Sequence, residues 1–196
     1  MFSFTRLVTL AALALAVSAN PLVERGVLPS CTNPTLLSSE IITGGVTMST
    51  FACDESSGAS LKARQTVTPP AFINVCGGAC QKLCTNAAGV LPPTSEDCDT
   101  IKDAIAIFEG NQIETFNVQP GHIQSLSYLT CSYSFTNLGA LPLQYCWKDL
   151  STTASAAGSV CFPPTQPTFS EGDCKALDQT GWIVSASHSN NTASGV

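Results

Sequence analysis

The chain has 196 residues, 44% hydrophobic and only 11% charged, with 14 acidic against 8 basic side chains and a formal charge of −6. A typical soluble chain is about 25% charged, so hydroxyl and amide side chains must cover much of this surface. The absence of a basic cluster argues against a nucleic-acid partner held through phosphates and against electrostatic attachment to an anionic membrane.

Residues 1–19, "MFSFTRLVTLAALALAVSA", have the layout of a secretory signal peptide. Arg6 lies near the start, an apolar run follows, and Val17-Ser18-Ala19 puts small residues at the cleavage site. The run is about a dozen residues, short of the roughly 20 that span a bilayer core. The expected product is soluble and extracellular. Arg25 before Gly26 makes 20–25 a candidate propeptide, and Arg64 before Gln65 is a weaker candidate cut.

Residues 20–61 hold Cys31 and Cys53 on either side of "IITGGVTMSTF", where Ile, Val and Thr around Gly44-Gly45 predict a hairpin. Residues 62–72, rich in Thr and Pro, read as a linker to a cysteine-rich domain over 73–187. That domain opens on "NVCGGACQKLC", with Cys76, Cys80 and Cys84 at four-residue steps. The spacing predicts a short helix from Ala79 to about Ala87, ending near Gly89 before Pro92-Pro93.

"TSEDCDTIKDAIAIFEGN" predicts the clearest helix. Thr94 or Ser95 caps it, Glu96, Asp97 and Asp99 suit the positive end of its dipole, and Gly110-Asn111 stops it. Cys98, Ile101, Ile105 and Phe108 form its apolar face, so Cys98 should anchor it to a strand. Beyond it the period becomes two. Strands are predicted in "QIETFNV", in "SYLTCSYSFTN" with Leu129, Cys131, Tyr133 and Phe135 on one face, and in "LPLQYCW", at an edge because of Pro142. "DLSTTASAAGS" has small residues at helical spacing. "VCF" and "GWIVSAS" read as short strands, the latter with Trp182 and Val184 on one side. The sum is an α+β fold, a disulfide-stapled antiparallel sheet with one or more packed helices. Residues 188–196 read as a disordered tail, with Asn190 in an N-glycosylation sequon.

The ten cysteines are Cys31, Cys53, Cys76, Cys80, Cys84, Cys98, Cys131, Cys146, Cys161 and Cys174. An even number behind a signal peptide implies five disulfides. Each long-range bridge contributes about 2–4 kcal/mol. The pairing stays open, but Cys76, Cys80 and Cys84 should reach three different partners, one of which could tie the N-terminal hairpin to the sheet. No metal or other cofactor is expected: His122 and His188 lie far from any cysteine pair, and Cys-x-x-Cys is absent.

No Gly-x-Ser-x-Gly elbow is present. His122 reads as an exposed loop residue and His188 as part of the tail. Asp97, Asp99, Asp103, Glu109 and Glu114 could supply a two-carboxylate glycosidase, but capping and solvation account for the first three. The expectation is therefore a binding protein and not an enzyme. Tyr128, Tyr145, Trp147 and Trp182 are candidates for stacking on sugars, with core packing as the competing reading because each lies on an alternating strand.

"NVCGGAC", "SEDC", "CSYSF", "YCW" and "GDCKALDQTGW" together resemble a family of small cysteine-rich secreted proteins of mushroom-forming fungi that has no established activity. The resemblance spans about Asn74 to Ser187. An Asp-Cys-x-x-Ile helix, a Cys-x-Tyr strand and a final Gly, Cys and Trp are more distantly similar to fungal secreted necrosis-inducing effectors, killer-toxin-like domains and mushroom glycan-binding domains. Those similarities imply a compact sandwich that acts by interaction. The spacings differ, and the Cys31/Cys53 segment and the Cys76-Cys80-Cys84 cluster have no counterpart, so no binding residue carries over. The expected function is a secreted binding or effector-like protein whose partner is a cell-wall or host glycan or a host protein. The alternatives are a small extracellular glycoside hydrolase and a structural cell-surface protein. Film-forming hydrophobins are disfavoured because no Cys-Cys doublet occurs.

Overall fold

The computed structural model describes residues 31, 34–53, 72–86, 91–111 and 114–189. The signal segment, Arg25, Arg64, most of the linker and Asn190 lie outside these residues. In chain order the strands are β1 (Thr35–Ile41), β2 (Thr47–Ala52), β3 (Ile73–Asn74), β4 (Cys80–Thr85), β5 (Thr115–Val118), β6 (His122–Tyr128), β7 (Cys131–Asn137), β8 (Leu143–Cys146), β9 (Glu171–Ala176) and β10 (Trp182–His188). Helix α1 (Ser95–Asn111) follows β4, and α2 (Trp147–Cys161) follows β8.

Seven strands form one antiparallel sheet in the order β1-β2-β6-β7-β10-β9-β4, and three form a small sheet in the order β3-β8-β5. Both helices and the small sheet pack on the same face of the large sheet. Cys98 of α1 bonds Cys131 of β7, Gly158 of α2 lies against Ala186 of β10, and Phe116 of β5 meets Phe135 of β7 edge-on. This inner face carries every second residue of the strands, including Leu126, Tyr133, Phe135, Trp182, Val184 and Ala186, all buried.

The five predicted disulfides form: Cys31–Cys53, Cys76–Cys146, Cys80–Cys174, Cys84–Cys161 and Cys98–Cys131. Cys76, Cys80 and Cys84 do reach three different elements: the end of β8, strand β9 and the last residue of α2. None reaches the N-terminal hairpin, whose own cysteines close on each other. The hairpin instead joins the large sheet through β2–β6 pairing, from Thr47↔Ser127 to Ala52↔His122. The segment expected to stand apart is thus part of the main sheet.

Other expectations are corrected. Residues 79–87 do not form a helix, because Cys80–Thr85 is the edge strand β4. A four-residue step returns to the same face at period two as well as at period 3.6, so Cys80 and Cys84 both point inward from a strand. Gly77 has φ of 67°, and a Cβ on Gly78 would lie 2.9 Å from the Trp182 ring, so both glycines are needed for the turn that feeds β4. "SYLTCSYSFTN" is not one strand. The chain reverses at Leu129-Thr130 between β6 and β7, and Leu129 adopts φ of 42°. Strands β6 and β9 were not anticipated. β8 is the central strand of the small sheet; Pro142 sits just before it and its carbonyl accepts the Ile73 N–H. "VCF" is the end of α2 and not a strand. Finally, β10 runs through His188, and the Ser189 N–H donates to the Thr130 carbonyl, so residues 188 and 189, expected in the tail, belong to the sheet and its edge, while 190–196 lie outside the described residues.

Candidate ligand-binding face

The aromatic candidates separate clearly. Tyr145, Trp147 and Trp182 are 1%, 4% and 0% exposed, so they pack the core and are corrected as binding residues. Tyr145 stacks on Phe135 at 4.5 Å, Trp147 lies 4.2 Å from Phe116, and Trp182 is 5.6 Å from Tyr145. Such pairs add about 0.5–1.5 kcal/mol each to their burial. Burial pushes the phenols of Tyr133 and Tyr145 up to about 12. Tyr128 is half-buried on the inner face, beside the hairpin turn at Gly45.

The carboxylates named in the sequence are distributed along α1 and just after it. Asp97 accepts hydrogen bonds from the Thr130 N–H (3.0 Å) and hydroxyl, which ties the start of α1 to the β6–β7 turn. Partial burial raises its carboxyl, but the two Thr130 donors, with Thr94, outweigh this and hold it below its ordinary value. Asp99 pairs with Lys102 at 2.9 Å, and Asp103 is exposed. His122 is not in a loop: it opens β6, half-buried. Its Nδ1 lies 2.8 Å from the Pro120 carbonyl, which only accepts, so Nδ1 carries the proton. His188 ends β10 with its Nδ1 buried.

Among the described residues the close grouping of metal-ligating types is Cys76, Cys146 and Asp149. Its two sulfurs are joined in a disulfide, and Asp149 accepts the Gly77 N–H at 2.7 Å, so all three act as structure. A hollow of about 240 Å³ is lined by Ser38, Ser39 and Glu40 of β1, Met48 and Thr50 of β2 and Gln124 of β6. The Gln124 amide is fixed there by the Thr50 hydroxyl and the Ser49 carbonyl.

The most ordered polar arrangement lies on the opposite, outer face of the large sheet. Strand register places Ser39, Ser49, Ser125, Ser134 and Ser185 side by side on β1, β2, β6, β7 and β10, with Asp173 of β9 next in the row. Neighbouring positions are about 4.8 Å apart, the strand spacing. A second row runs through Thr47, Ser127, Ser132, Ser187, Glu171 and Thr85. A third is apolar in part: Phe51, Ile123, Thr136 and Ile183, then Lys175 and Gln81. Ser39 is exposed, Ser125, Ser134 and Ser185 are half-buried, and Ser49 and Asp173 are buried.

The hydroxyls are partly engaged with one another. Ser39 and Ser49 are 3.1 Å apart, as are Ser125 and Ser132, and the Ser185 hydroxyl donates to Asp173 at 2.5 Å. Sequence reasoning missed this row because each serine looked like an ordinary polar position. The available signal was the run "SLSYLTCSYSFT" with "IVSAS", in which hydroxyls hold one parity of each strand.

No protein-family model and no curated protein matches the chain. Among the described residues no helix is long and apolar enough to cross a membrane.

Proposed function

We propose that this is a secreted, disulfide-stabilised binding protein whose outer sheet face engages an extended, uncharged polysaccharide of a cell wall or extracellular matrix. The observation that carries this reading is the serine row, which holds no charge from β1 to β10 and lies beside a partly apolar strip of Phe51, Ile123, Thr136 and Ile183. A sugar ring presents C–H faces and hydroxyl edges, so an apolar strip next to a line of hydroxyls complements both. The strand spacing of about 4.8 Å is close to the length of one sugar unit along an extended chain, so successive units can meet successive hydroxyls. The signal-peptide layout of residues 1–19 and the low charge of the whole chain support an extracellular setting.

Co-sedimentation with insoluble β-glucan and with chitin tests the proposal. Wild-type protein should be retained. Ser134→Arg, which places a charged bulk in the middle of the row, should abolish retention while leaving the circular dichroism spectrum unchanged. Retention that survives Ser134→Arg and Ser125→Arg together would place binding elsewhere and overturn it.

A further inference from the structure

Asp173 is the anomaly of this face. It is 3% exposed, it terminates a row of neutral hydroxyls, and its described hydrogen-bond donor is Ser185. No ion pair reaches it among the described residues. The side chains around it are Glu171 and Lys175 on its own strand, Ile183, Ser185 and Ser187 on β10, and Gln81, Leu83 and Thr85 on β4. Of these only Glu171 and Lys175 are charged, and Glu171 is engaged by the Thr85 hydroxyl at 3.0 Å. His188 and Lys82 belong to the opposite face by strand parity.

A buried carboxylate with so little compensation is strained in its charged form. Burial pushes Asp173 up to about 6, the Ser185 hydroxyl offsets part of this, and Glu171 adds to it. A polymer laid along the row would remove the remaining water beside the carboxylate and disfavour the charge further.

Resting on the reading of this face as a polysaccharide site, we infer that binding is proton-linked: ligand covers the face with Asp173 neutral, so affinity is higher in acid than at neutral pH. The Ser185 hydroxyl changes role with it. Beside the carboxylate it must donate inward, whereas beside the neutral acid it can accept the acid proton and turn its own O–H to the ligand.

The test is co-sedimentation of the full chain with insoluble β-glucan and with fully N-acetylated chitin, neither of which carries a group that titrates in this range, at about pH 5 and about pH 7.5. Wild-type affinity should rise by roughly fivefold or more in acid, and Asp173→Asn should bind equally at both values, at the acid level. Glu171→Gln should keep the pH dependence. As a readout that needs no variant, adding a soluble oligomer of the same sugar near pH 6 in weak buffer should cause proton uptake. Equal wild-type retention at both pH values, persistence of the effect in Asp173→Asn, or no proton uptake would overturn the inference and leave the site reading intact. No retention at either pH would overturn both.

Discussion

The two faces of the seven-stranded sheet use the same strands for opposite ends. On β7, Cys131, Tyr133, Phe135 and Asn137 point inward and are buried, whereas Ser132, Ser134 and Thr136 point outward and are half-buried. The inner face carries aromatic contacts, both helices and four of the five disulfides. The outer face carries hydroxyls in register. Period-two alternation therefore splits one element into a layer that stabilises and a layer of hydroxyls that the proposed function uses for recognition, and substitutions on the two should have separable effects.

The largest effect should come from the inner layer. Replacing Cys80 and Cys174 by serine leaves Cys84–Cys161 to hold β4 to the end of α2, so although the two cysteines are 94 residues apart the ring that opens runs only through 80–84 and 161–174. The expected loss through the unfolded chain is about 3 kcal/mol, similar to that for Cys31–Cys53 with its separation of 22. Urea unfolding of the two variants checks this. A much larger loss for the Cys80–Cys174 variant would mean that this bridge acts mainly by bracing the buried inner layer of the folded state.

The next effect belongs to Asp173, which is on the outer face and nonetheless buried. Its carboxyl is raised from 3.8 to about 6 on folding, so its charged form disfavours the folded state. The penalty is absent below about pH 4, grows between about 4 and 6, and is complete above, so acidification from pH 7 to 4 should stabilise by about 2–3 kcal/mol from this group. Below that range Asp97 and Asp178, both lowered, act the other way as they become protonated. Thermal unfolding across pH should show the rise in wild type and its loss in Asp173→Asn.

Gly172→Ala tests the packing of α2 on the sheet. Its new methyl would lie 2.6 Å from the Ala157 carbonyl oxygen, a backbone atom that moves only with the helix, and the expected loss is about 1–3 kcal/mol. A midpoint within error of wild type would mean that α2 sits loosely. At the other extreme, Ser134→Ala should change stability by less than about 0.5 kcal/mol while weakening polysaccharide retention. A large loss of stability there would make the serine row part of the structural layer and erase the distinction between the faces.

Legibility followed the strength of local signals. The 95–111 helix was readable because capping, charge and apolar spacing agree over seventeen residues, and α2 because small residues recur at helical spacing. The 79–87 segment misled because its cysteine spacing fits helix and strand alike. β6 and β9 were missed because "HIQSLSY" and "EGDCKA" carry little apolar alternation and depend on partners far along the chain. Tyr145 and Trp182 looked available for sugars because sequence does not tell which face of a strand will be covered, and Trp147, read there as a strand residue, is the first residue of α2.

The sequence by itself determined the α+β class, the even set of bridging cysteines, the main helix and the low-charge, hydroxyl-rich surface. These follow from composition and from contacts within a turn or two of chain. Only the tertiary structure decided which cysteines pair, that the N-terminal hairpin extends the main sheet, and that five serines from five strands fall in one row. Register across β1, β2, β6, β7 and β10 is fixed by the buried inner residues, so the outer pattern is set by packing on the face it does not touch.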